Sequence, residues 1–110
     1  MLNLRLYMLQ RITAFLMAPL VLGHIAVMIY AIQGGLTAAE ILGRTKGSLA
    51  WFAFYGLFVV AVSIHGAIGM RVVMYEWAGI KGKWLDAFMY SAGFFLLFIG
   101  ARAVWAVTFA

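Results

Sequence analysis

LAWFAFYGLFVVAVSIHGAIGMRVV, residues 49–73, is apolar at almost every position. It shows neither the one-sided stripe of a surface helix nor the alternation of a half-buried strand. A helix of about 20 such residues crosses a hydrocarbon layer about 30 Å thick, and this run is longer. Trp51, Phe52, Phe54 and Tyr55 gather at one end, and Tyr75 and Trp77 follow at the other, as aromatic belts do at the two lipid–water boundaries.

Two more runs of the same kind flank it, giving expected spans at residues 12–32, 49–75 and 85–107. The fold class is therefore an all-α membrane protein with three transmembrane helices in a single domain, residues 1–110. Gln33, Gly34 and Gly35 end the first span. Pro19, the only proline, lies inside that span, where it leaves the Phe15 carbonyl without a helical partner and should bend the helix. The polar connection after it, with Thr37, Glu40, Arg44, Thr45 and Lys46, has room for a short interfacial helix over residues 37–42. Gly79, Lys81, Gly82 and Lys83 make the second connection a tight turn. Arg102 interrupts the third span near its far end, within snorkelling reach of headgroups.

The whole chain has the same character. Of its 110 residues 67% are hydrophobic and 10% charged, against about 45–50% and about 25% in soluble domains. Three spans leave no residues for a soluble catalytic domain, so soluble chemistry must sit on another chain. The first apolar run lacks a small-residue cleavage site and reads as a retained anchor rather than a leader. Eight Lys and Arg against three Asp and Glu give a net charge of +5. These cations sit mostly at span ends, where they meet lipid headgroups, and no basic stripe with interleaved aromatics offers itself to nucleic acid. Arg5, Arg11, Arg71, Lys81 and Lys83 fall on one side of the membrane and Arg44, Lys46 and Arg102 on the other. That bias predicts a cytoplasmic N-terminus in a multi-pass protein of the cell inner membrane. Cysteine is absent, which excludes thiolate-held clusters and covalently attached haem; a redox cofactor here would have to hang on histidine.

Two histidines lie inside apolar spans, His24 in the first and His65 in the second. An ionisable side chain at that depth is expensive and marks a candidate site. Imidazole is the usual axial ligand of b-type haem, yet a hydrogen bond to a neighbouring helix would equally account for each ring. Gly66 and Gly69 beside His65 would let a flat macrocycle approach, or let another helix do so. Glu76, eleven residues on, returns to the face of His65 about 16 Å nearer the cytoplasm. Arg71 lies on the flank of that helix, within reach of a haem propionate, a quinone carbonyl or phosphate headgroups. Topology puts Arg11, Arg71, Glu76 and Trp77 at one end of the bundle, a zone whose donors and acid suit a quinone headgroup and its protons.

The segments QRITAFL at 10–16 and HGAIGMRVVMYEW at 65–77 resemble the membrane-anchor subunits of succinate dehydrogenase and fumarate reductase. Arg11, Thr13 and Ala14 match the arginine, hydroxyl and small residue that open the first helix in that family. His65, Gly69, Arg71 and Glu76 stand at the steps of its haem-ligand histidine and the glycine, arginine and acid that follow. Glu76 replaces the more usual aspartate, and Trp77 stands where one anchor type often has a tyrosine. The resemblance implies a cytochrome b anchor subunit of succinate:quinone oxidoreductase, with His65 as axial ligand and metal-binding residue. Arg11 and Arg71 would then serve propionate or quinone, and Glu76 and Trp77 the quinone region. It implies as partners a second anchor subunit that completes a haem-holding bundle, an iron–sulfur subunit and a flavoprotein. It implies haem b as cofactor, one or two, and a quinone as substrate.

His24 departs from the single-haem pattern and would be the ligand of a second haem about 12 Å away in depth. The same parts also describe a quinol:fumarate reductase anchor, or a structural anchor without haem. A small drug–proton antiporter fits worse, because it needs four spans and a carboxylate within the first.

Overall fold

A computed structural model describes residues 3–109. Four helices follow in order, α1 (Leu4–Gly34), α2 (Ala38–Thr45), α3 (Leu49–Ala78) and α4 (Lys83–Thr108), with no strand among the described residues. The three long ones are each apolar and long enough to cross a membrane. Each helix outruns its apolar centre, so the long axis of the molecule, 47 Å, exceeds a hydrocarbon layer of about 30 Å. The extra turns of α1, from Leu4, carry Arg5 and Arg11.

Local chemistry sets the ends. Asn3, Thr37 and Ser48 cap α1, α2 and α3, their side-chain oxygens accepting from the backbone N–H groups of Leu6, Glu40 and Trp51. α3 stops at Gly79, whose left-handed backbone lets the Ile80 N–H turn back to the Met74 carbonyl. Gly82 also has a positive φ, so the expected tight turn rests on two residues that need no Cβ. The interfacial helix runs to Thr45, longer than residues 37–42, because its Arg44 donates to the Gly35 carbonyl at 2.9 Å and stacks over Tyr30. α1 continues as one helix through Pro19.

α3 lies in the middle, packed against α1 on one side and α4 on the other. Thr13 meets His65 and Gly23 meets Phe54, so α1 and α3 are antiparallel. Gly93 meets Ala67 and Gly100 meets Val59, so α3 and α4 are antiparallel too. The α3 residues facing α1 and those facing α4 lie about 150° apart around its axis by the 100° step. At the far end Thr45 donates to the Val107 carbonyl at 2.6 Å and the Gly47 N–H reaches that of Thr108, tying α2 onto the end of α4.

Burial differs from that of a soluble bundle. Beside Ile68, Leu85, Met89 and Val104, the hidden residues are small or carry a hydroxyl, among them Thr13, Ala61, Ser63, Ala67 and Thr108. Phe15, Leu22, Phe94 and Phe98 face outward. Without a hydrophobic force between helices in lipid, close approach and interhelical hydrogen bonds must hold them. Only Thr13 of α1 is fully buried within the chain, so the face of that helix turned away from α3 is left for lipid or another polypeptide.

A Cβ at Gly100 would stand 2.6 Å from Cγ1 of Val59 and 3.3 Å from its Cβ, whereas one at Gly56 would meet nothing within 4 Å. Gly100→Ala should therefore destabilise the subunit by about 1–3 kcal/mol by prising α4 from α3. Gly56→Ala should leave stability within about 0.5–1 kcal/mol of the parent or raise it. Unfolding in mixed micelles, followed by tryptophan fluorescence, measures both.

Candidate functional site

The seam between α1 and α3 holds the first part of the site. His65 is half-buried there, and its Nδ1 lies 3.3 Å from the Thr13 hydroxyl, which is itself 3% exposed. The other ring nitrogen, Nε2, makes no hydrogen bond among the described residues and is not sealed in protein. Gly69, one turn along the same face, keeps this strip low: a Cβ there would meet only the Gln10 amide nitrogen, at 3.8 Å. Gln10 Oε1 is buried beside it without a partner. Gly66 is turned the other way, onto Leu96 of α4, and so serves helix packing.

His24 lies on the same face of α1 as Thr13, eleven residues farther along. Thr13 is level with His65, so the two histidines stand about 16 Å apart along the bundle, more than the 12 Å that counting from span ends implies. The His24 ring meets Phe58 edge-on at 5.2 Å, and its Nδ1 is buried with no partner. It borders a crevice of about 470 Å³ beside α3, with Tyr55, Phe58, Ser63 and Gly100 in the walls and Thr45 of α2 at the end. A second crevice of about 370 Å³, lined by Leu6, Ile64, Ala67, Met89 and Gly93, opens near the other end of the bundle.

The charged zone is arranged less simply than the sequence implies. Arg71 points to α4, where its guanidinium pairs with Asp86 in the first turn; Arg71 is 14% exposed and its Nε is buried without a partner. Arg11 stands about 160° around α1 from Thr13, on the face turned away from α3. It is exposed, and its guanidinium lies over the Tyr7 ring and within 3.4 Å of the Tyr7 hydroxyl. The two arginines thus share an end of the bundle but are not brought together within this chain. Glu76 and Trp77 are both exposed at that end, Trp77 by 85%.

Sequence reasoning missed Asp86 as the partner of Arg71. The signal was there: a turn at residues 79–82 folds an arginine eight residues before it near an acid four residues after it. It also missed the Thr13–His65 contact, since nothing in the spacing says which side of α1 faces α3. No cluster of three or more metal-binding side chains occurs among the described residues.

These features define a three-span helical membrane subunit with a histidine open at one seam. A match to the family described as succinate dehydrogenase/fumarate reductase transmembrane subunit covers residues 2–101, and the chain belongs to that family. Comparison with curated proteins and with solved structures gave no match.

Asp86→Asn should loosen the α3–α4 hairpin by about 1 kcal/mol, because Asp86 is itself half in solvent and water screens the pair. Arg71→Gln combined with Asp86→Asn should cost less than the two singles summed, since it leaves no unpaired guanidinium. A double-mutant cycle on micellar unfolding reads the coupling.

Proposed function

We propose that this chain is a cytochrome b anchor subunit of a succinate:quinone oxidoreductase in the cell inner membrane, with its N-terminus cytoplasmic. In this reading it holds haem b through His65 together with a second anchor subunit, and contributes to the site where quinone takes up electrons from the iron–sulfur subunit. The flavoprotein that oxidises succinate completes the assembly. The observation that carries the reading is the state of His65. Its ring is gripped on one side by α1, and its second nitrogen is left unbonded on a strip where Gly69 adds no bulk and the Gln10 amide is the neighbour. Those residues fit an axially ligated macrocycle.

His24 supplies a contrast. A ligating histidine almost always donates its other ring N–H to an acceptor, and no acceptor meets His24 Nδ1 among the described residues. The reading therefore takes one haem, at His65. When bound, the haem supplies a one-electron centre within the bilayer. This chain's own contribution at the inner end is a set of exposed polar groups. The Arg11 guanidinium and the Trp77 indole N–H can donate to a quinone carbonyl, and the Glu76 carboxyl can pass the protons that accompany two electrons. Arg71 is turned to α4, its charge balanced by Asp86.

In the purified complex His65→Ala should abolish the reduced-minus-oxidised haem spectrum, and His24→Ala should leave it intact; an unchanged spectrum in His65→Ala would rule the assignment out. Arg11→Gln should lower succinate-driven quinone reduction about 10-fold or more while succinate oxidation by an artificial dye persists. Loss of both activities would indicate failed assembly instead.

A further inference from the structure

The Thr13 hydroxyl has one proton to give, and three acceptors lie near it. The Leu9 carbonyl is 2.7 Å away, the Gln10 carbonyl 3.1 Å and His65 Nδ1 3.3 Å. An O–H···O separation of 2.7 Å is the preferred one, and the Leu9 carbonyl has a second lone pair beyond the one its helical N–H partner uses. Once the proton lies along that bond, Thr13 Oγ1 meets Nδ1 with lone pairs alone. The contact is then a hydrogen bond only when Nδ1 carries the hydrogen. Thr13 is 3% exposed, so water does not compete for the role.

We propose that Thr13 is a positioning residue for His65: its hydroxyl oxygen accepts from Nδ1–H and so keeps the lone pair on Nε2, the atom left unbonded at the seam. The physical consequence is threefold. The tautomer is the one in which Nε2 can ligate, the ring's rotation about its Cβ–Cγ bond is fixed, and an acceptor on the far nitrogen strengthens Nε2 as a donor. Donation to Leu9 makes this possible, because a threonine that gave its proton to Nδ1 would put the ring hydrogen on Nε2 and block it. The functional meaning rests on the reading of His65 as haem ligand, but the tautomer itself does not.

Two variants test it, Thr13→Val, which keeps the shape and removes the oxygen, and Thr13→Ser, which keeps the oxygen. Nitrogen-15 spectra of histidine-labelled complex from haem-deficient cells should show His65 as Nδ1–H in the parent and in Thr13→Ser. In Thr13→Val the hydrogen should move toward Nε2. In haem-loaded complex, Thr13→Val should shift the haem midpoint potential positive and weaken haem retention about 10-fold or more, with Thr13→Ser close to the parent. An Nε2–H tautomer in the parent, or a Thr13→Val complex unchanged in tautomer and potential, overturns the proposal while leaving His65 as ligand untouched. An Nδ1–H parent that binds no haem supports it and removes the haem reading instead. Should Thr13→Val fail to assemble, the parent spectrum decides alone.

Discussion

In hydrocarbon a helix gains little by hiding a leucine, and the close backbone approaches of this bundle come where a side chain is missing or ends in a hydroxyl. Gly100 opposite Val59, Gly93 opposite Ala67 and Gly23 opposite Phe54 set how near the backbones come. Thr13 and Thr45 add the polar links at two of the seams. Because α3 is gripped this way from both sides, its orientation about its own axis is fixed, and with it the direction of every side chain that matters. His65 goes to the α1 side and Arg71 to the α4 side. Shifting α3 by a single residue would turn it by about 100° and exchange those roles.

The spans, the glycine turn and the family were legible in the sequence because each depends on local pattern. Twenty or so apolar residues have one solution in lipid, Gly79 and Gly82 announce a reversal, and the residues from His65 to Glu76 sit at characteristic steps. Facing was not legible. α1 and α3 are hydrophobic all round, so no stripe says which side of either meets its neighbour. Thr13 as the companion of His65, and the turning of Arg11 away from α3, emerged only with the packing. The length of α2 was underestimated for a related reason: its last turn is held by Arg44 reaching back to Gly35 and by Thr45 reaching α4, tertiary contacts that no local signal encodes.

The two histidines show how little residue type alone decides. Both lie at depth in apolar helices, and both rings are half-buried. His65 has one nitrogen engaged and one open, whereas His24 meets an aromatic edge and has a buried nitrogen with nothing to bond. The charged end is likewise sorted by partners. Arg71 is neutralised by Asp86 and anchors the hairpin, while Arg11, Glu76 and Trp77 stay exposed. Arg71, expected to meet a propionate, a quinone carbonyl or headgroups, is here half of an ion pair.

The small helix α2 bears on how the protein fits bilayers of different thickness. The final carbonyls of a spanning helix ordinarily need water or headgroups, which pins that end at a fixed depth. Here two of those carbonyls, on Val107 and Thr108, are met from within by Thr45 and Gly47. Those two carbonyls therefore need no water, while exposed Lys46 and Arg102 hold that end at the headgroups. Lys81, Lys83 and Trp84 stand exposed at the opposite interface, so with both ends held a change of thickness is met by tilt.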